Sequence, residues 1–151
     1  MQRFGIVVLG LVILAPAVAR CQAKPANDYS GMYSFLRDGE FLQISIEEAK
    51  VSGFISRFGD SDSDKGTFLD QFIKSGTFDS GKVSFTTEVV HGTFFSFEGS
   101  VARGTGKTEA DESFYVMRGT LTRFASDPEK KATSQKRQVE FKSFPRDASP
   151  N

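Results

Sequence analysis

Three aspartates alternate with serines in the stretch 59–66: Asp60, Asp62 and Asp64. Carboxylates at alternate positions can converge on one hard cation, and Ca²⁺ takes roughly 6 to 8 oxygen ligands. In an EF-hand loop, however, glycine would stand at Lys65 and a bidentate glutamate at Gln71, and no helical pattern precedes this loop. A solvated acidic turn is therefore favoured, and a calcium site at the three aspartates is the alternative hypothesis.

Other residues that carry chemistry are scarce. One histidine, His91, and one cysteine, Cys21, are too few for a zinc site of histidine and cysteine ligands. His91 precedes a glycine in a predicted turn, where an exposed or turn-capping role is favoured over catalysis. Nucleophile elbow, P-loop and dinucleotide fingerprints are missing from the sequence. Five glutamates fall at predicted strand ends or on polar faces, and no spacing selects a catalytic pair: Glu40, Glu47, Glu48, Glu88 and Glu98. We therefore predict no enzymatic activity and no catalytic residues.

The elements that must position these residues are strands. Apolar and polar residues alternate from Ser30 onward. Asp38-Gly39 predicts a type I′ hairpin turn, and Asp79–Lys82 and His91-Gly92 are further turn signals. The pattern predicts an all-β domain, an antiparallel meander of about eight strands. Such a meander closes into an up-and-down barrel because closure removes exposed edges. A two-sheet β-sandwich is the alternative.

Two segments are less clear. Within 67–78, Phe68, Leu69, Phe72 and Ile73 have helical spacing, so a short helix competes there with a strand. The stretch 125–138 is polar, and 139–142 alternates again as a last strand that pairs back on the previous one.

The aromatic residues are 16 Phe and 3 Tyr, with no Trp. Placed on inward faces by the alternation, they either pack as the core or line a cavity, since an eight-stranded barrel can hold one small ligand. The candidate ligand-binding set is Tyr33, Phe35, Phe85, Phe95, Phe97, Tyr115 and Met117.

Residues 1–23 have the plan of a secretory signal peptide: Arg3, an apolar stretch 4–15, Pro16, and small residues before two candidate cleavage sites. The apolar stretch is too short to span a bilayer, so no membrane span is expected after cleavage. A lipoprotein anchored at Cys21 is the alternative, although Arg20 stands where a lipobox has a small residue. We expect an exported protein, periplasmic or secreted, with a domain at 24–144 and a disordered tail at 145–151.

Two resemblances accompany this layout. Gly31-Met32-Tyr33, the hairpin spacing and Gly119-Thr120-Leu121 resemble avidin-like and lipocalin-like barrels. Avidin-type biotin sites are lined with Trp, which this chain lacks, so this resemblance implies architecture and no biotin site. The stretches 51–64, 70–87 and 115–121 resemble a family of small exported bacterial β-domain proteins of uncharacterised function. That resemblance implies a bacterial, exported β domain and no activity.

Formal net charge is zero, with 19 basic and 19 acidic residues, which disfavours nucleic acid as a partner. The first functional hypothesis is a non-enzymatic barrel that binds a small apolar or amphipathic ligand. The second is a structural or interaction protein of the cell envelope with a packed core. An enzyme, the third, would need titratable groups that converge in a cleft. No cofactor is predicted beyond the calcium alternative.

Overall fold

One antiparallel sheet of eight strands makes up this protein. The computed structural model describes residues 26–126 and 132–146. The strands are hydrogen-bonded in chain order, so the predicted all-β meander is confirmed, and the single sheet curls into a half-barrel. A 3-10 helix, Ala26–Tyr29, precedes β1 (Gly31–Ser34), β2 (Phe41–Glu47), β3 (Lys50–Phe58), β4 (Phe68–Asp79), β5 (Lys82–Thr87), β6 (Thr93–Arg103), β7 (Tyr115–Ser126) and β8 (Ala132–Lys142). No helix in these described ranges is long and apolar enough to cross a membrane.

Tight hairpin turns connect several of the strands. Both central residues have positive φ, as a two-residue type I′ turn requires, at Glu48–Ala49, Ser80–Gly81 and His91–Gly92. The tight turns predicted at the last two sites are confirmed. The type I′ turn predicted at Asp38–Gly39 is wrong, because only its glycine has positive φ. There, β1 ends early and a six-residue loop, 35–40, leads into β2.

The concave face of the half-barrel is filled with rings. Phe97 stacks on Phe85 with centroids 5.3 Å apart and lies 5.6 Å from Phe141. Phe141 is 5.3 Å from Phe35, which meets Phe95 edge-on at 5.6 Å. These five rings form a continuous row of contacts across strands that are distant in sequence, so aromatic packing holds the curl of the sheet.

The two edge strands meet at one corner only. A bridge joins Tyr33 to Ser143, and the amide of Phe144 donates to the carbonyl of Met32 at 2.9 Å. Since β1 has four residues and β8 has eleven, the rest of β8 has no described strand on the side away from β7. We call the gap between β8 and the loop 35–40 the open seam.

The two unclear segments are both strands. In β4, Phe68 and Phe72 lie on the outer face, paired across the strands with Phe58 and Phe54. Their spacing, four residues apart, arises from that outer aromatic pairing, so the competing helix is wrong. The predicted last strand is confirmed, and it begins at Ala132, inside the polar stretch 125–138.

Both predicted terminal segments fall largely outside the described residues. The predicted signal peptide, 1–23, lies wholly outside them. Of the predicted tail 145–151, Pro145 and Arg146 are described. The Arg146 guanidinium donates to the carbonyls of Asp28 and Ser30, so the end of the described chain is joined to its beginning.

Candidate functional site: an arginine-lined pocket at the open seam

A pocket of about 750 Å³ lies in the open seam. Its apolar wall is Phe35, Leu36, Phe95 and Leu121. Five cationic side chains, two carboxylates and Gln135 line the remainder, which gives a net positive lining in a chain of zero net charge. The charged residues are Arg37, Arg57, Arg123, Lys136, Arg137, Glu40 and Asp60.

Strand alternation places the arginines inside. Side chains two residues apart share a face of the sheet, so Arg57 follows the buried Ile55 and Arg123 follows the buried Leu121 on the concave face. Arg137 pairs across the strands with Leu121 and has the same orientation. At this end of the half-barrel the inward positions therefore change from apolar to cationic.

The Arg57 guanidinium is held in a fixed position. Its side chain is 4% exposed. Nε donates to Oε1 of Gln71 at 3.0 Å, and Nη1 donates to the carbonyl of Phe58 at 3.2 Å and to Asp60 at 3.3 Å. Burial lowers the pKa of Arg57 from its ordinary value, Asp60 opposes that shift, and the nearby Arg123 charge adds to it. Burial and the Arg123 charge both disfavour the charged guanidinium of Arg57. An additional anion beside it would offset both effects.

Gln71 anchors this arrangement from β4. Its side chain is fully buried, and Nε2 donates to the carbonyls of Glu88 and Thr93, each at 2.7 Å. The amide oxygen is thereby turned towards Arg57 as an acceptor. Gln71 thus connects the pocket to the β5–β6 connection and sets the orientation of the guanidinium.

The exposed carboxylate of Asp60 forms ion pairs with three guanidinium groups. Asp60 lies 3.2 Å from Arg37, 3.3 Å from Arg57 and 3.3 Å from Arg123. In addition, Nε of Arg123 is buried and has no hydrogen-bond partner among the described residues. The cluster therefore has donor capacity beyond what Asp60 uses, which suits a second anionic group.

Glu40 lies directly before β2, at a strand end as predicted, but its side chain is buried rather than solvated. It is 2% exposed, and its Oε1 accepts from Nε of Arg37 at 2.8 Å and from the amide of Phe58 at 3.0 Å. The hydrogen bond from Arg37 to this carboxylate raises the pKa of Arg37. Glu40 thus fixes the loop 35–40 against β3 at the border of the pocket.

The three aspartates of the acidic stretch do not converge. Asp60 faces the arginines and Asp62 is exposed. Asp64 accepts from the Ser61 hydroxyl at 2.6 Å and pairs with Nδ1 of His91 at 2.6 Å. These hydrogen bonds, that from Ser61 first, lower the pKa of Asp64 to about 2. Within 26–126 and 132–146, no group of three or more His, Cys, Asp or Glu side chains is placed to hold a metal ion.

His91 ties this loop to the β5–β6 hairpin. Its ring is 54% exposed, whereas its partner Asp64 is 6% exposed. The contact joins residues 27 positions apart. Asp64 and His91 both line a second pocket of about 470 Å³, and Arg57 and Arg123, which line the seam pocket, line this one too.

The predicted ligand-binding residues divide into two groups. Phe35 and Phe95 line the seam pocket. The other five lie deeper in the hydrophobic core, each at most 2% exposed: Tyr33, Phe85, Phe97, Tyr115 and Met117. Two of the seven predicted residues therefore line the seam pocket, and the other five belong to the packed core.

The charged half of the pocket was not predicted. The sequence does contain an indication of it. Arg57 and Arg123 stand two residues after the inward-facing Ile55 and Leu121, so the alternation predicts that both arginines also face inward. Gln71 carries no such signal, since the helix-strand ambiguity of its segment hides which face it occupies.

Comparison with protein-family models, with curated proteins and with solved structures found no match for this chain. Fold likeness alone would leave function open, since one fold carries many functions. The function is therefore inferred from the geometry and charge of the seam pocket.

Proposed function

We propose that this protein is an exported, non-enzymatic binding protein that takes a small amphipathic anion in its seam pocket. The observation that carries the proposal is the excess of guanidinium groups over carboxylates beside an apolar wall. The apolar part of the ligand would pack on Phe35 and Phe95. Its acidic group would accept hydrogen bonds from Arg57 and Arg123.

The chemistry of the site supports an anion over a neutral ligand. Guanidinium groups form charge-assisted, often bidentate hydrogen bonds with carboxylates and phosphates. Nε of Arg123 has no described partner, and the desolvated Arg57 lies near a second cation. The pocket volume also falls within the roughly 300 to 1,000 Å³ of small-molecule sites. Export is supported by the signal-like pattern of residues 1–23.

The test compares three probes of one chain length: octanoate, 1-octanol and octyltrimethylammonium, titrated into the purified protein and followed by calorimetry. We expect octanoate to bind, the alcohol to bind more weakly, and the cation not to bind. Arg123→Gln should weaken octanoate binding about tenfold, the value of one charge-assisted hydrogen bond. Arg118→Gln, on the outer face beside Glu140, is the matched control and should leave binding unchanged.

Three results would contradict this proposal. One is equal binding of octanoate and octyltrimethylammonium, which would show that charge plays no part. Another is octanoate binding that Arg123→Gln does not weaken. Absence of octanoate binding up to about 10 mM, far above a functional affinity, would also end it.

A second candidate function is an interaction protein of the cell envelope. It is favoured by aromatic rings on the outer face of β2–β4, where Phe41, Phe54 and Phe72 follow one another at 5.9 and 5.7 Å and Phe58 lies 4.3 Å from Phe68. Phe72 is 60% exposed and Phe68 is 50% exposed. Exposed apolar patches commonly mark contact surfaces.

The outer aromatic surface is tested with the double substitution F68S/F72S. The wild type and the variant are each cross-linked in envelope extracts. We expect the variant to lose the cross-linked species that the wild type forms. Identical products from both proteins would exclude a contact at this surface.

A further inference from the structure

The edge of β8 away from β7 has backbone groups along the open seam that pair with no strand among residues 26–126 and 132–146. The amide of Ser143 donates to Tyr115 on β7, whereas the amides of Lys142 and Phe144 donate towards β1. Because successive residues of a strand point their N–H and C=O groups to opposite sides, the odd-numbered residues of β8 face β7. Residues 134, 136, 138 and 140 therefore face the seam, where no described strand pairs with them.

This edge is complementary to itself in one register. In an antiparallel pair of two β8 strands centred on Gln138, Lys136 of each copy lies opposite Glu140 of the other. The same register places seam-facing residues opposite one another, so their N–H and C=O groups meet. Neighbouring registers are worse: centring on Arg137 opposes two arginines, and centring on Lys136 opposes two lysines. Like charges directly opposite destabilise a pair of strands.

We propose that two copies of this protein associate through their β8 edges, antiparallel and centred on Gln138. The pairing forms about six backbone hydrogen bonds between the copies and two Lys136–Glu140 ion pairs. Such an interface is isologous, as expected for a two-fold dimer. Arg57 and Arg123 stay within each copy, whereas Lys136 and Arg137 of the paired edge also line the seam pocket. Association is therefore measured on protein without added ligand, so that the dimer is tested separately from the proposed ligand binding.

A lysine on an edge strand commonly protects against pairing. Lys136 disfavours pairing in any register that places it opposite another cation, such as the one centred on Lys136. Glu140, which also pairs with Arg118 of the same copy at 2.6 Å, offsets this effect in the register centred on Gln138. The two charges thus select one register and disfavour the others.

The test is a charge exchange followed by sedimentation equilibrium from about 10 µM to about 1 mM, the range of a moderate homodimer. The wild type should be a dimer in this range. Lys136→Glu and Glu140→Lys, made singly, each oppose like charges twice and should weaken the dimer roughly tenfold to a hundredfold. The double variant K136E/E140K restores opposite charges and should restore the dimer. Circular dichroism of all three variants controls for folding.

Hydrogen exchange provides the second measurement. In the dimer, the amides of Lys136, Gln138 and Glu140 should exchange more slowly than in dilute protein. The amides of Arg137 and Val139, which face β7, should be protected at every concentration. A wild type that stays monomeric at about 1 mM overturns the proposal. So does a dimer that the single variants do not weaken, or one that the double variant fails to restore.

Discussion

Replacing Gln71 by leucine should destabilise the fold more than its modest change in volume suggests. The glutamine amide is fully buried and makes three hydrogen bonds, to the carbonyls of Glu88 and Thr93 and from Nε of Arg57. Leucine would fill the space but make none of them. The buried Nε of Arg57 and the partly buried carbonyl of Glu88 would then lose this bond.

The magnitude follows from those partners. Thr93 retains the amide of Val90 as a donor at 2.9 Å, so its carbonyl loses little. An unsatisfied Glu88 carbonyl costs about 1 kcal/mol, and the buried Arg57 donor, being charged, costs about 2 kcal/mol. The expected loss in the free energy of unfolding is therefore about 3 kcal/mol, a large share of the stability of a small domain.

The assay is urea denaturation followed by circular dichroism, with the thermal midpoint as a second measurement. We expect a lower denaturation midpoint at an unchanged slope and a thermal midpoint lower by about 10 °C. Gln138→Leu, which removes an exposed amide on β8 that bonds the Thr120 hydroxyl, should change stability by less than about 0.5 kcal/mol. If Gln71→Leu also costs less than about 1 kcal/mol, Gln71 does not hold Arg57 in the way described.

Two further substitutions test other parts of the fold. The pKa of Asp64 is held at about 2, below its ordinary 3.8, by hydrogen bonds from Ser61 and then His91, so the ionised carboxylate contributes stability that is lost as pH falls from about 4 to 2. Asp64→Asn should flatten that acid dependence in urea denaturation, whereas Asp62→Asn, an exposed neighbour, should keep it; equal profiles for the two variants would refute the assignment. A Cβ at Gly119 would lie 2.3 Å from the carbonyl oxygen of Glu98 on the neighbouring strand, a rigid backbone atom. Gly119→Ala should therefore cost about 3 kcal/mol, and a loss below about 1 kcal/mol by the same assay would show that β6 and β7 can separate.

The strands could be predicted because their signals are local. Alternation and turn residues gave the meander of eight strands without knowledge of any distant contact. The helical spacing of Phe68 and Phe72 misled because it arises from pairing with rings on β3, a contact across the sheet. The same limit applies to β8, whose polar sequence forms a strand through its pairing with β7.

The charged pocket depends on information that no local pattern holds. Alternation indicates that Arg57 and Arg123 face inward, but not that they reach the same end of the sheet. That depends on the stagger of β3 against β7, two strands that do not pair. The contact between β1 and β8 is also non-local, because the bridge from Tyr33 to Ser143 joins residues 110 positions apart.

The contact of Arg146 with Asp28 and Ser30 brings the two ends of the described domain together. Neighbouring termini are what circular permutation requires. A linker would join the residues after Arg146 to the residues before Asp28, and new ends would be cut at the Ser80–Gly81 turn. This change would keep every strand pair and remove only the covalent connection between β4 and β5. In that permuted chain, β8 and β1 would be consecutive strands. The bridge between Tyr33 and Ser143, which now joins residues 110 positions apart, would become a local contact.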